Sequence, residues 1–220
     1  MSYTPFSDRR QAGRRLVDKL TGYADRPEVI VLGLPRGGVP VAFEVAKCLH
    51  AVLDVFIVRK IGVPGHPELA MGAIASGGVI HLNESIISRL YIPRRTIDSV
   101  IEEETLELKR REKLYRSGRA PLDLSNRFVI LVDDGLATGA TMLAAIRAVR
   151  DRDPREIVVA VPVAASSSIG EVQRAADKLV FILAPRDFYA VGEWYDSFEQ
   201  TTDREVTDLL SQARKWPSAA

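Results

Sequence analysis

The densest chemistry in this sequence lies in one short run, Val132-Asp133-Asp134-Gly135-Leu136-Ala137-Thr138-Gly139-Ala140-Thr141. The apolar stretch before it, Arg127–Val132, reads as a buried strand, and Met142–Arg150 after it reads as a helix. The two adjacent carboxylates therefore fall at the carboxyl end of a strand, where open α/β sheets bind ligands. The small residues that follow run into a helix N-terminus. Free backbone N–H groups there, with the hydroxyls of Thr138 and Thr141, make a phosphate cradle. Carboxylates repel phosphate, so Asp133 and Asp134 must face sugar hydroxyls or a metal. Together these residue types point to a phosphorylated sugar, with phosphate on the loop and ribose on the acids.

A second turn has the same context. Gly33-Leu34-Pro35-Arg36-Gly37-Gly38 follows the apolar run Glu28–Leu34 and precedes a helical pattern over Val39–Leu49. Gly37 and Gly38 allow backbone to approach an anion closely, and Arg36 can make charge-assisted bonds to phosphate. Arg59 and Lys60, at the end of a strand expected over Val52–Val58, form a basic pair suited to pyrophosphate. The tail Pro185–Asp196 concentrates Phe188, Tyr189, Trp194 and Tyr195, and Phe188 or Tyr189 could stack on a planar base. His66 and Glu68 are ionisable residues of a Gly/Pro-punctuated loop or flap over Arg59–Gly78, with a short strand expected near Ala70–Ala75. His50 and His81 have no evident partner, and Cys48 falls in an apolar helical pattern that reads as core. Neither G-x-x-x-x-G-K-[ST] nor a G-x-G-x-x-G after the first strand occurs, which argues against a P-loop NTPase and an ordinary dinucleotide fold.

The elements that must position these residues alternate between strand and helix. Beyond those above, the patterns predict an opening helix over Ser7–Tyr23 capped by Ser7, strands at Glu156–Val163 and Leu179–Leu183, and helices at Ser168–Ala176 and Asp203–Ala213. Pro93–Ser117 reads as a charged, solvated helix with Glu107–Arg111 and Glu112–Arg116 as i,i+4 pairs. This is an α/β pattern: a doubly wound, mostly parallel central sheet with helices on both faces. One domain is expected over 1–220, with its core at about 27–185, a helical insertion at about 83–120 and a small C-terminal hood at about 185–220.

With 220 residues, 46% of them hydrophobic and 27% charged, the composition is that of a globular protein and excludes disordered or fibrous classes. Thirty Lys and Arg balance twenty-nine Asp and Glu, so no global excess of positive charge argues for nucleic acid. A single cysteine rules out an intrachain disulfide. No signal-like or membrane-spanning apolar stretch is evident. A cytoplasmic protein without membrane contact is the expectation.

The run from strand through Asp133-Asp134 to Thr138-Gly139-Ala140-Thr141 resembles the PRPP-binding signature of the type I phosphoribosyltransferases. Through several separate motifs the likeness extends over roughly Val29–Asp196. It implies that Asp133 and Asp134 hold the ribose 2′ and 3′ hydroxyls. It assigns the 5′-phosphate to Ala137, Thr138, Gly139, Ala140 and Thr141. The Pro35–Gly38 turn resembles the family's pyrophosphate loop, with the Pro35–Arg36 peptide as candidate for a cis, non-proline bond. Val58–Gly62 resembles the strand end of adenine-type enzymes, and Ile61–Gly78 the family's mobile flap. The tail resembles the base-binding hood of hypoxanthine-guanine enzymes, which favours a purine. Two departures leave the base open. Val161–Ala165 lacks the lysine that reads a purine exocyclic oxygen, and Ala137 stands where those enzymes carry a third acid.

The resemblance implies Mg²⁺-dependent transfer of a phosphoribosyl group from PRPP to a nitrogenous base, giving a nucleotide and pyrophosphate. The catalytic residues would be Asp133, Asp134, Lys60 and Arg36. Mg²⁺ would be held mainly through substrate oxygens, with Asp133 or Asp134 as protein ligands, and a homodimer is a family expectation. Two alternatives share the same motif: a PRPP-binding regulator without transferase activity, and a hydrolase or phosphorylase acting on a nucleotide-like molecule.

Overall fold

The computed structural model describes residues 5–116, 119 and 122–216, without the side chains of Pro67 and Glu68. The Glu68 side chain, expected in the flap, and Ser117, expected at a helix end, therefore lie outside what is described. Helix α1 (Arg9–Val17) is capped by Asp8, not Ser7: the Asp8 carboxylate accepts the Gln11 N–H at 2.7 Å. It is shorter than expected, because Thr21 and Gly22 favour helix poorly and form a 3₁₀ turn with Tyr23. Losing the cap in Asp8→Ala is expected to cost about 1 kcal/mol. That would lower the melting temperature by roughly 2–4 °C, and an unchanged melting curve would deny the cap this role.

Strand β1 (Val29–Gly33), helix α2 (Gly38–Leu49) and strand β2 (Val52–Val55) form the first βαβ unit. Cys48 is exposed on α2, not part of the core as its apolar neighbours suggested. The strand expected over Val52–Val58 divides. Phe56 N–H still donates to the Gly33 carbonyl at 3.1 Å, but Ile57 N–H turns to the Ser76 hydroxyl at 3.0 Å. The chain then enters a separate antiparallel sheet of β3 (Val58–Val63), β4 (His66–Ala75) and β5 (Val79–Leu82). This sheet replaces most of the loop expected over Arg59–Gly78, and the short strand expected near Ala70–Ala75 falls within β4. The glycines and proline that suggested a loop sit in its turns: Pro64-Gly65 joins β3 to β4, and Gly77-Gly78 helps join β4 to β5.

Two helices, α3 (Glu84–Arg89) and α4 (Arg94–Arg116), fill the expected insertion. The predicted Glu107–Arg111 pair forms at 2.7 Å. However, α4 is no merely solvated helix. It buries Ile97, Leu108 and Tyr115, and Arg116 reaches the buried Asp54 at 3.4 Å.

The rest alternates as predicted, with β6 (Phe128–Val132), α5 (Ala140–Arg150), β7 (Glu156–Val163), α6 (Ser166–Ala175), β8 (Lys178–Leu183) and α7 (Asp203–Ala213). The central sheet has five parallel strands in the order β2-β1-β6-β7-β8. Period-two alternation splits its side chains between two cores. Val29, Val31, Ile130 and Val132 face the core shared with α2, α4 and α7. Ile30, Leu32, Val129 and Leu131 face the core shared with α5. Helices thus cover both faces, as the apolar strands require. Strand order reverses between β1 and β6, so their carboxyl ends flank the crevice where such sheets take ligands. Among the described residues, no helix is long and apolar enough to cross a membrane.

Candidate functional site

The two turns singled out in the sequence meet at that reversal. β1 and β6 pair through Gly33 and Val132, and Leu34 N–H donates to the Val132 carbonyl at 2.9 Å. Beyond these residues the loops pack so closely that side chains are excluded. A Cβ on Gly38 would lie 2.6 Å from the Val132 carbonyl oxygen, and one on Gly37 would overlap the Asp134 carboxylate. The peptide joining Pro35 to Arg36 is cis, as the resemblance implied.

Asp133 and Asp134 are half-buried. Asp134 N–H donates to Asp133 Oδ1 at 2.9 Å. Burial, then the neighbouring Asp134 charge, push the Asp133 carboxyl well above its ordinary range. Burial also raises Asp134, against the opposing pull of Arg9. The site therefore holds more negative charge than its solvation supports, a condition that hydroxyl donors or a cation would relieve.

Arg9 was not foreseen. Its Nε donates to Asp134 Oδ2 at 2.8 Å, and its Nη1 donates to the Glu199 carbonyl at 2.7 Å. Its guanidinium carbon lies 3.8 Å from the centre of the Phe198 ring. The Tyr195 hydroxyl donates to the Asp134 carbonyl at 2.5 Å, and burial followed by the Asp134 charge raises that phenol, keeping it a donor. Nothing in the local pattern links Arg9 to Asp134, since 125 positions separate them.

The small-residue loop is braced from below and open above. Leu136 N–H donates to the Val163 carbonyl and Ala165 N–H to the Leu136 carbonyl, each at 2.8 Å. The Ser168 hydroxyl donates to the Ala137 carbonyl. Ala137, Thr138, Ala140 and Thr141 remain exposed, while buried Gly139 takes φ +77° and opens α5. The Thr138 hydroxyl oxygen accepts the Ala140 N–H at 3.5 Å. This is an anchored helix N-terminus with its polar atoms toward solvent, the form an anion site takes.

The remaining predicted residues are distributed differently. Arg36 lies 3.7 Å from Asp203, the first residue of α7. Asp203 also accepts the Tyr115 hydroxyl at 2.5 Å, and burial with that bond pushes Tyr115 up to about 12. Arg59 does not join the two turns: its Nε donates to Glu104 of α4 at 2.7 Å. With Lys60, Arg59 lines a separate cavity of about 450 Å³ beside the β3–β4 turn. Phe188 stacks on Trp194, with centroids 6.4 Å apart and planes at 16°, whereas Tyr189 is 86% exposed. The tail aromatics do not pack on the closing helix, the plainer alternative. Phe188, Trp194 and Tyr195 cluster with Phe6 and Leu183, and Val191 sits over Gly135, directly against the Asp133–Asp134 turn. His50 and His81 do have partners, Asp25 at 2.7 Å and Asp151 at 3.0 Å. Among the described residues no group of three or more His, Cys, Asp or Glu converges as a metal cage.

Comparison with known proteins bears on the same stretch. Residues 67–192 match the phosphoribosyl transferase domain family, a span that includes Asp133–Thr141 and the tail as far as Gly192 but not Pro35–Arg59. A Mycobacterium tuberculosis protein provisionally named a phosphoribosyl transferase is 44% identical over 210 residues, 96% of this chain and 47% of the relative. The chain thus spans about half the length of that curated relative. The bifunctional protein PyrR of Deinococcus radiodurans is 32% identical over 123 residues, 53% of this chain and 65% of its own. The crystal structure of TT1426 from Thermus thermophilus superposes with a TM-score of 0.84 at 40% identity, covering 96% of this chain and 99% of the other.

Proposed function

The chain belongs to the phosphoribosyl transferase domain family, and on that premise we propose that it transfers a phosphoribosyl group from PRPP to a nitrogenous base, a purine by preference, releasing pyrophosphate. One observation carries the reading: the Asp133–Asp134 pair and the Pro35–Gly38 turn are packed together at the strand reversal, beside an open helix N-terminus. In this reading Ala137–Thr141 bind the 5′-phosphate. Asp133 and Asp134 accept hydrogen bonds from the ribose hydroxyls. Their negative field favours the cationic sugar that forms as the C1′–oxygen bond breaks, so catalysis rests on positioning and electrostatics.

The leaving pyrophosphate would draw Arg36 from Asp203, and the cis loop would present its backbone to it. Lys60 would contribute from the β3–β4 sheet. Arg59 would need to leave Glu104 to take part. Val191 over Gly135 supports a hood lying beside the ribose subsite, with the exposed Tyr189 as its candidate for stacking on the base. The hard oxygen donors Asp133 and Asp134 fit Mg²⁺, which takes few protein carboxylates and many substrate and water oxygens. When bound, Mg²⁺ would neutralise charge on the pyrophosphate.

Calorimetry with PRPP tests the binding half of this reading. PRPP is expected to bind the wild-type protein, and more tightly than ribose 5-phosphate, which lacks the pyrophosphate. In Gly37→Ala, whose new methyl group must displace the Asp134 carboxylate, PRPP affinity is expected to fall about tenfold or more. No PRPP binding by the wild type would sink the proposal.

A further inference from the structure

A cavity of about 470 Å³ opens at the opposite end of the sheet, between the end of α2, the start of β2 and the end of α7. Lys47, His50, Leu53, Arg119, Arg214 and Trp216 are among its lining residues. It is remote from the site above: β2 begins beside Ile30, whereas that site begins past Gly33 and Val132. Its volume falls within the roughly 300–1,000 Å³ typical of small-molecule sites.

The charge around this cavity is one-sided. Lys47, Arg119 and Arg214 bring cations from three different parts of the chain. The acid facing them from β2 is Asp54, and it is already shared by Arg116 and Arg119 at 3.4 Å each. Asp25 is engaged with His50 at 2.7 Å. Arg119 and Arg214 stand near enough to oppose each other: Arg214 is lowered first by desolvation and then by the Arg119 charge, with Asp54 pulling the other way. Bringing like charges together costs free energy, which Asp54 and the Tyr115 carbonyl, accepting from Arg214 at 3.4 Å, offset in part. A ligand with several negative charges would offset the rest.

Trp216 adds a flat apolar wall, held by Phe43 at a centroid distance of 4.9 Å and an angle of 57°. Guanidinium and ammonium groups recognise phosphate, and an indole recognises a planar base by stacking. The combination is the chemistry of a nucleotide site. We propose that this cavity is a second ligand site, taking a nucleoside triphosphate with its phosphates on Lys47, Arg119 and Arg214 and its base against Trp216. The proposal does not depend on the transferase reading, because it uses none of that site's residues.

The chain has two tryptophans, so Trp194→Phe leaves Trp216 as the reporter. ATP is the probe, and calorimetry on the wild-type protein provides a second readout. We expect saturable quenching of Trp216 that persists when PRPP is present in excess. The double variant Arg119→Gln/Arg214→Gln, in which Asp54 keeps Arg116 as its partner, should weaken ATP by about tenfold or more. Inorganic tripolyphosphate, which lacks the base, should bind about tenfold more weakly than ATP. Any of four results would overturn the proposal: neither quenching nor heat with ATP, full competition by PRPP, unchanged affinity in the double variant, or equal binding of tripolyphosphate.

Discussion

Asp133→Asn is expected to make the protein more stable and nearly inactive. The Asp133 carboxylate is pushed up by burial and by the adjacent Asp134, and Arg9 opposes this only in part. Asparagine keeps the Oδ1 acceptor that Asp134 N–H uses at 2.9 Å but removes the charge. Holding a charge out of water beside a like charge is costly, and removing that charge should raise the melting temperature by roughly 2–4 °C for each kcal/mol recovered. Because the folded-state value is raised, folding costs most at pH values above it, and the cost fades as pH falls through it. The gap between variant and wild type should therefore be full at high pH and vanish near the ordinary value of 3.8. Turnover should fall about 10²–10³-fold, as when one preorganised electrostatic group is lost. Stability bought at the expense of function is the mark of a binding site. A lower melting temperature, or wild-type turnover, would contradict this reading of Asp133.

Arg9→Met should do the reverse to stability. Arg9 and Asp134 are 11% and 15% exposed and 2.8 Å apart. Removing one partner of a buried pair costs about 3–5 kcal/mol, because the other charge is stranded. That corresponds to a melting temperature lower by roughly 10 °C. Arg9→Lys should recover only part of this, since an ammonium cannot span Asp134 and the Glu199 carbonyl as the guanidinium does. Adding Asp134→Asn to Arg9→Met removes the stranded charge and should return part of the lost stability without restoring turnover. A double variant less stable than Arg9→Met alone would refute the pairing, as would an Arg9→Met protein that melts with the wild type.

The parallel sheet was legible because each of its strands is an apolar run ended by a turn, and its crossovers carry helical periodicity. The Asp133–Thr141 turn and the Pro35–Gly38 turn were legible for the same reason, being local motifs in a fixed strand–turn–helix context. Of the antiparallel sheet only the Ala70–Ala75 part of β4 was legible, because Pro64-Gly65 and Gly77-Gly78 punctuate the rest, and turn residues between short strands look like the interior of a loop. Cys48 was misplaced because its neighbours Ala46 and Leu49 are buried while it faces outward. Arg9, Tyr195 and Asp203 were invisible for a different reason. Their roles arise from tertiary contacts across 61 to 190 positions, and no local periodicity encodes such a contact. The pairing of Arg59 with Glu104 was likewise hidden, since a basic pair at a strand end reads the same whether it meets an anion or a neighbouring helix.

The most direct test of the central claim is pyrophosphate release from PRPP with Mg²⁺, measured against a panel of purine, pyrimidine and orotate-like bases, with Asp133→Asn in parallel. Release that depends on one class of base, yields the matching nucleotide and falls about 10²–10³-fold in the variant is the predicted result. Tight PRPP binding with no release for any base would contradict the transferase and leave a PRPP sensor in its place.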